Sequence, residues 1–307
     1  MLQTTENNWY KWYYEGTEFF SRRKKGTGEF RTYLTPTCET IGNFKQETIK
    51  AVKSTLDVYS DLVHCLFFSG GVDSEMILRA YLEVGYVPEV FVVRYENNYN
   101  KADVDMALEV CKCLNVDINI IDMELVKFFE NEAVDISELA QIDRPRMLPS
   151  LKYMDLVDGL PVIGHSDVRW YKTKEHVWLA QCFEHDIGCD KYIMLKNRPA
   201  IYQWFKWTPG LVLSYTKMKW FRDLISNKFP GQPDNNNKIL GYSRFYNDMI
   251  PREKLTGFES IDNLILEFED YLLMKNQGFK YRSEHRRSVN QIWTEITGST
   301  YPFNMSP

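Results

Sequence analysis

The stretch Leu66-Phe67-Phe68-Ser69-Gly70-Gly71-Val72-Asp73-Ser74 constrains this chain more than any other. An apolar run feeds a Ser-Gly-Gly turn, and Glu75-Met76-Ile77-Leu78-Arg79-Ala80-Tyr81-Leu82 carries on as a helix. Paired glycines let the backbone turn sharply and present several N–H groups together. The helix N-terminus adds partial positive charge at the same point. Ser69 and Ser74 offer hydroxyls, and Asp73, after Val72, brings a carboxylate that suits magnesium. Together these make a site for an oligophosphate with its metal. It is not a Walker A loop, because no lysine follows the glycines in GK[ST] register.

Around this loop the pattern is regular. Residues 46–60 read as a helix, 62–68 as a strand, and the loop helix runs to Val84-Gly85, with Gly85 as its C-terminal glycine. Further strands are expected at 89–95, 116–121 and 160–163. A helix at 101–115 carries an apolar stripe through Val104, Ala107, Leu108, Cys111 and Leu114. Alternation of this kind predicts an α/β fold with a Rossmann-like parallel sheet of about five strands and helices on both faces. Ligands on such sheets sit at the carboxyl ends of the strands, where the glycine turn lies.

The alternation fades beyond about 200. The expected organisation is an aromatic-rich segment over 1–45 packed on the body, an α/β domain over 46–200, and a mostly helical region over 201–307. The stretch 230–238 (PGQPDNNNK) reads as a loop, 259–276 as a helix, and the last ten residues as frayed.

The net charge of −5 does not predict general nucleic-acid binding. No segment reaches the roughly 20 apolar residues of a membrane span, and the N-terminus is not a secretory signal. The six cysteines form no CxxC pair, so reduced thiols and a cytoplasmic setting are expected.

The run Ser69–Ser74 resembles the pyrophosphate loop of the PP-loop ATP pyrophosphatases, a superfamily that includes asparagine synthetase, GMP synthetase, NAD synthetase and the tRNA thiolases. The resemblance covers about 50–170 well and 200–260 weakly, and the asparagine synthetase domain is the nearest in pattern. It implies an adenine nucleotide alpha hydrolase-like fold, ATP and Mg2+ as cofactors, and cleavage of ATP between the α and β phosphates. Ser69, Gly70, Gly71, Val72, Asp73 and Ser74 would then hold the phosphates.

Other positions follow from the same resemblance. The backbone after the second strand would hold the adenine edge, which places Val93 and Arg94 beside the base; Arg94 reads equally as a surface residue at a strand end. Val162-Ile163-Gly164-His165-Ser166-Asp167 is similar to a later signature of asparagine synthetases. There Gly164 would let the backbone approach the nucleotide, and Asp167 would join Asp73 around one magnesium ion. Asp167 reads also as a helix cap, and His165 either as a residue placed to touch substrate or as a structural histidine. In asparagine synthetase-like domains a lysine reaches back to the departing phosphates, and Lys254, then Lys219, are the choices for that role.

Between 196 and 228 stand seven Lys/Arg and one acid, a bias that would suit a pyrophosphate pocket or a polyanionic substrate. The leading reading is a synthetase that adenylates an oxygen of a small-molecule substrate and lets an amine or ammonia displace AMP. With no glutaminase half evident, a separate glutaminase or another ammonia source would serve it. The alternatives are a nucleobase- or tRNA-modifying enzyme with Cys182 or Cys189 as nucleophile, RNA not being the favoured partner, and a module that binds ATP or AMP without turnover.

Overall fold

Short buried runs of apolar residues make the strands of the central sheet, and helices connect them. The computed structural model describes residues 9–15, 29–37, 39–140, 142, 145–164, 170–172, 178–180, 187–225, 235–250, 252, 258–275 and 287–303. An antiparallel hairpin opens the chain, β1 (Tyr10–Glu15) with β2 (Glu29–Leu34). Then come α1 (Phe44–Val58), β3 (His64–Phe67), α2 (Val72–Glu83), β4 (Glu89–Tyr95), α3 (Lys101–Leu114) and β5 (Ile118–Met123). Helices α4 (Leu125–Asn131), α5 (Ala133–Ala140) and α6 (Leu148–Met154) lead to β6 (Leu160–Ile163).

The four strands pair in the order β5-β4-β3-β6, all parallel. Four, not about five, is the count among the described residues. In place of a fifth strand, Ile201 and Gln203 bridge to Val162 and Gly164 at the open edge of β6. A parallel sheet must be covered on both faces, and it is. Alternate side chains such as Leu66, Val90 and Val162 enter one apolar cluster with α1, α2 and α3. Cys65, Phe67 and Ile163 enter another with α4, α5 and α6. In α3 the stripe departs from expectation at one place: Leu108 is exposed and Val110 is buried.

The rest of the chain is mainly helical. Strands β7 (Trp170–Lys172) and β8 (Trp178–Ala180) precede α7 (Ile187–Lys196), α8 (Pro209–Thr216) and α9 (Lys219–Ile225). After them come α10 (Asn235–Tyr242), α11 (Asp262–Lys275), β9 (Arg287–Ser288) and α12 (Val289–Thr297). The small strands form an antiparallel sheet, β7-β8-β9. Two expectations are corrected here. Residues 235–238 begin α10 instead of ending a loop, because Ile239 and Tyr242 bury themselves and so hold an asparagine-rich turn in helical form. Nor is the C-terminal stretch frayed at Tyr301, which is buried and donates from its hydroxyl to Thr216 O at 2.7 Å. Trp9 is buried too, its indole N–H shared between Lys206 O and Trp207 O. No helix among the described residues is long and apolar enough to cross a membrane.

His64, at the start of β3, is fully buried between tyrosines. The carbonyl of Tyr59 can only accept, so His64 Nε2 carries the proton and Tyr81 OH donates to Nδ1 at 2.8 Å. Burial lowers the His64 pKa from its usual 6.5. The unfolded chain therefore takes up a proton before the native state does, and the imidazole's contribution to stability is full above the unfolded value and lost as pH falls below it. Urea unfolding midpoints are expected to drop as pH falls below about 6.5, and less so in His64→Gln. Equal drops in both proteins would sink this assignment.

Candidate active site

The loop grows out of the end of β3. Phe68 N donates to Phe91 O at 2.7 Å and extends the ladder by one residue. Gly70 then turns back with φ +70°, against the backbone of α3. Gly71 is the N-cap of α2 and has no side chain to cap it, so the first amides of the helix lack that partner. Ser74 Oγ donates to Gly71 O at 2.9 Å and lies 3.5 Å from Ser69 Oγ. A Cβ on Gly71 would fall 3.2 Å from Ser69 Oγ and 3.9 Å from Ser74 Oγ, so the glycine keeps open a cradle between two hydroxyls.

The sheet order sets this cradle at a topological switch. From β3 the chain moves to β4 and β5 on one side, while β6 lies on the other. Crevices open at the carboxyl ends of such strand pairs. Gly164, directly after β6, closes against the first turn of α2: a Cβ there would lie 3.5 Å from Ser74 N and Cα and 3.1 Å from Ile77 Cδ1. Gly164 and the loop are thus brought together.

Asp73 has partners that the sequence reading missed. Lys238 Nζ donates to Asp73 Oδ2 at 2.8 Å, and Tyr242 OH donates to Oδ1 at 2.7 Å. The Lys238 side chain is only 5% exposed and that of Asp73 16%. Both donors come from α10 and stand one helical turn apart, which puts them on one face. Tyr242 is itself fixed by stacking on Phe44, centroids 5.4 Å apart. A buried lysine is therefore delivered to the Ser69–Ser74 loop from the helical region. The available signal was the Lys-Ile-Leu-Gly-Tyr pattern at 238–242, hidden by the loop-like residues before it.

The remaining candidates are placed less centrally or lie elsewhere. Lys219 opens α9 and is exposed. Val93 O accepts from Asn100 Nδ2 at 2.7 Å. Arg94 pairs with Asp122 of β5 through Nε at 2.6 Å and Nη2 at 2.9 Å. His165, Asp167, Lys254 and Cys182 lie outside the described residues. Cys189 is fully buried on α7. Burial likewise raises the Cys65 thiol and pushes that of Cys111 up to about 12.

The basic bias at 196–228 is largely absorbed by the fold. Lys196 pairs with Asp155, Arg198 donates to the carbonyls of Met154, Val157 and Gly159, and Lys217 donates to Ile41 O and Gly42 O. Three of the seven are thus held by partners within the chain.

The donor set fits an oligophosphate with magnesium. Uncapped helix amides, two hydroxyls and a buried ammonium all favour anionic oxygen. Each Asp73 oxygen holds one donor and keeps a further acceptor direction for a hard cation. No group of three or more His, Cys, Asp or Glu gathers for a metal among the described residues.

A search among curated proteins found no match. Among solved structures the chain is similar to NMN synthetase from Francisella tularensis, at 12% identity over 77% of this chain and 94% of that chain, with a TM-score of 0.31. Residues 64–150 match the family model of Queuosine biosynthesis protein QueC, from the first residue of β3 into α6. That match spans the Ser69–Ser74 loop, and the matched model is one of the PP-loop ATP pyrophosphatase superfamily.

Proposed function

We propose that the protein is a synthetase that cleaves ATP between the α and β phosphates and activates an oxygen of a small-molecule substrate as its adenylate. The observation that carries the reading is the convergence of Lys238 and Tyr242 on Asp73 beside an uncapped glycine loop. The α2 amides, Ser69 and Ser74 bind the β and γ phosphates. The Lys238 ammonium, set beside the loop by its contact with Asp73, meets charge that grows on the departing pyrophosphate. Tyr242 holds the other Asp73 oxygen and so orients the carboxylate. Asp73 would hold magnesium, which would neutralise phosphate charge. Asp167 is proposed as its second carboxylate, and Gly164 gives the nucleotide backbone room. Val93 and Arg94 are proposed beside the adenine. An amine, free ammonia or ammonia from a separate glutaminase then displaces AMP. Cys65, Cys111 and Cys113 form no disulfide among the described residues, and a reducing compartment such as the cytoplasm is proposed.

The QueC match favours a second reading, a nucleobase-modifying enzyme built on the same ATP chemistry. One experiment separates the two. The protein is incubated with magnesium and α-labelled ATP, alone and with pools of amino acids, nucleobases and nucleosides, or RNA. AMP with pyrophosphate is expected, and the stimulating pool names the substrate class. ADP with phosphate would overturn α–β cleavage. ATP bound but never turned over would point to a binding module.

A further inference from the structure

The segment that brings Lys238 and Tyr242 is also clamped farther along α2. Glu75 is fully buried, and its Oε1 accepts from Arg79 Nε at 2.7 Å while its Oε2 accepts from Arg252 Nη2. Arg79 Nη1 donates to both oxygens of Asp248 at 3.0 Å, and its guanidinium stands 5.1 Å from the centre of the Tyr246 ring. Arg252 donates to Ile250 O at 3.4 Å, and its Nε is buried with no hydrogen-bond partner among the described residues.

This is a poor way to gain stability. Burying a carboxylate against two guanidiniums costs desolvation that well-packed apolar groups would not, and an orphaned donor adds to the cost. What the arrangement does fix is position. Guanidinium forks set distance and direction together. Glu75 stands two residues after Asp73, so a clamp at Glu75 and Arg79 fixes which residues of the opposing segment meet the loop.

We propose that Arg252, acting through Glu75 and Arg79, is a positioning residue that holds the 235–252 segment in register on α2, so that Lys238 and Tyr242 arrive at Asp73. Its effect on rate rests on the synthetase reading above; its effect on the Lys238–Asp73 contact does not.

The test is a double-mutant cycle in the full chain, with Lys238→Met, Arg252→Gln and their combination followed by urea unfolding. The shift caused by Lys238→Met is expected to fall to roughly half or less in the Arg252→Gln background. Additive shifts would overturn the proposal. Should Arg252→Gln fail to fold, Asp248→Asn takes its place in the cycle, since that carboxylate is 69% exposed. A second arm reads kcat for AMP formation per folded molecule. Arg252→Gln should lower it about 10- to 100-fold with a smaller change in KM for ATP, and Arg252→Lys should recover part of the loss. An unchanged kcat, with only less folded protein, would mean a purely structural role. Coupling in the cycle without AMP formation by the wild type would sink the synthetase reading and leave the clamp standing. AMP formation with additive shifts would do the reverse.

Discussion

Replacing Lys238 by methionine is expected to lower the rate of AMP formation about 100- to 1000-fold while ATP still binds, which is the scale of removing one preorganised donor from a developing oxyanion. The two properties separate for a structural reason. Ground-state binding draws on the α2 amides and the serine hydroxyls, which the substitution leaves alone. Lys238 matters most when charge builds on the leaving pyrophosphate. Methionine keeps the apolar stem, and α10 stays anchored by Ile239, Tyr242 and the Phe44 stack. Asp73 would be left with Tyr242 and the helix N-terminus, and at 16% exposure it still reaches water, so the stability cost should be about 1–3 kcal/mol, below that of breaking a fully enclosed pair. Single-turnover rates and an ATP binding isotherm on the same samples check this. A rate within a few-fold of wild type would return the lysine role to Lys254 or Lys219. Asp73→Asn is the companion: it keeps the size of the side chain and removes the charge that holds Lys238 and, on the proposed reading, the metal.

Lys238 was invisible in the sequence for reasons that also explain what was visible. Strands β4 and β6 were legible residue for residue because buried parallel strands are short apolar runs with little freedom in their ends. The Gly70-Gly71 turn was legible because its chemistry is local. Gly85, expected at the end of α2, adopts φ +80° just after that helix. By contrast, α10 starts in three asparagines, which favour turns over helix interiors. It is helical because of contacts made far away in sequence, with Phe44 stacked on Tyr242 and the Trp220 side chain packed against Gly241. The partner of Lys238 lies 165 positions upstream. Composition was misleading for a related reason. Lys217 and Arg198 look like a binding surface in a count of charges, but their long side chains end on backbone carbonyls. A charge tally cannot tell a cation that waits for a ligand from one that caps a chain segment.

The two loop glycines should respond in opposite ways to the same substitution. Gly70→Ala puts a Cβ on a residue at φ +70°, 2.4 Å from Asp103 O and 3.2 Å from Ala107 N. Those atoms are the backbone of α3, so neither can rotate away. Left-handed backbone strain and a main-chain collision together should cost about 2–4 kcal/mol. Gly71→Ala meets no such obstacle. Its φ of −76° and ψ of 155° are open to any residue, and the nearest atoms to the new methyl are the tips of the Ser69 and Ser74 side chains. The fold should lose less than about 1 kcal/mol. The methyl would instead occupy the space between the two hydroxyls and displace a phosphate oxygen from one or two charge-assisted hydrogen bonds. At about 1.5–3 kcal/mol for hydrogen bonds to charged groups, ATP affinity should weaken about 10- to 100-fold. Urea midpoints and ATP titrations on both variants decide the matter. If Gly71→Ala binds ATP normally, the cradle between Ser69 and Ser74 is not the phosphate site, whatever Lys238 does. If Gly70→Ala keeps full stability, the loop does not rest on α3 as described. The expected pattern, one glycine needed for the turn and its neighbour for the ligand, would show that this Ser-Gly-Gly sequence does two separate jobs in adjacent residues.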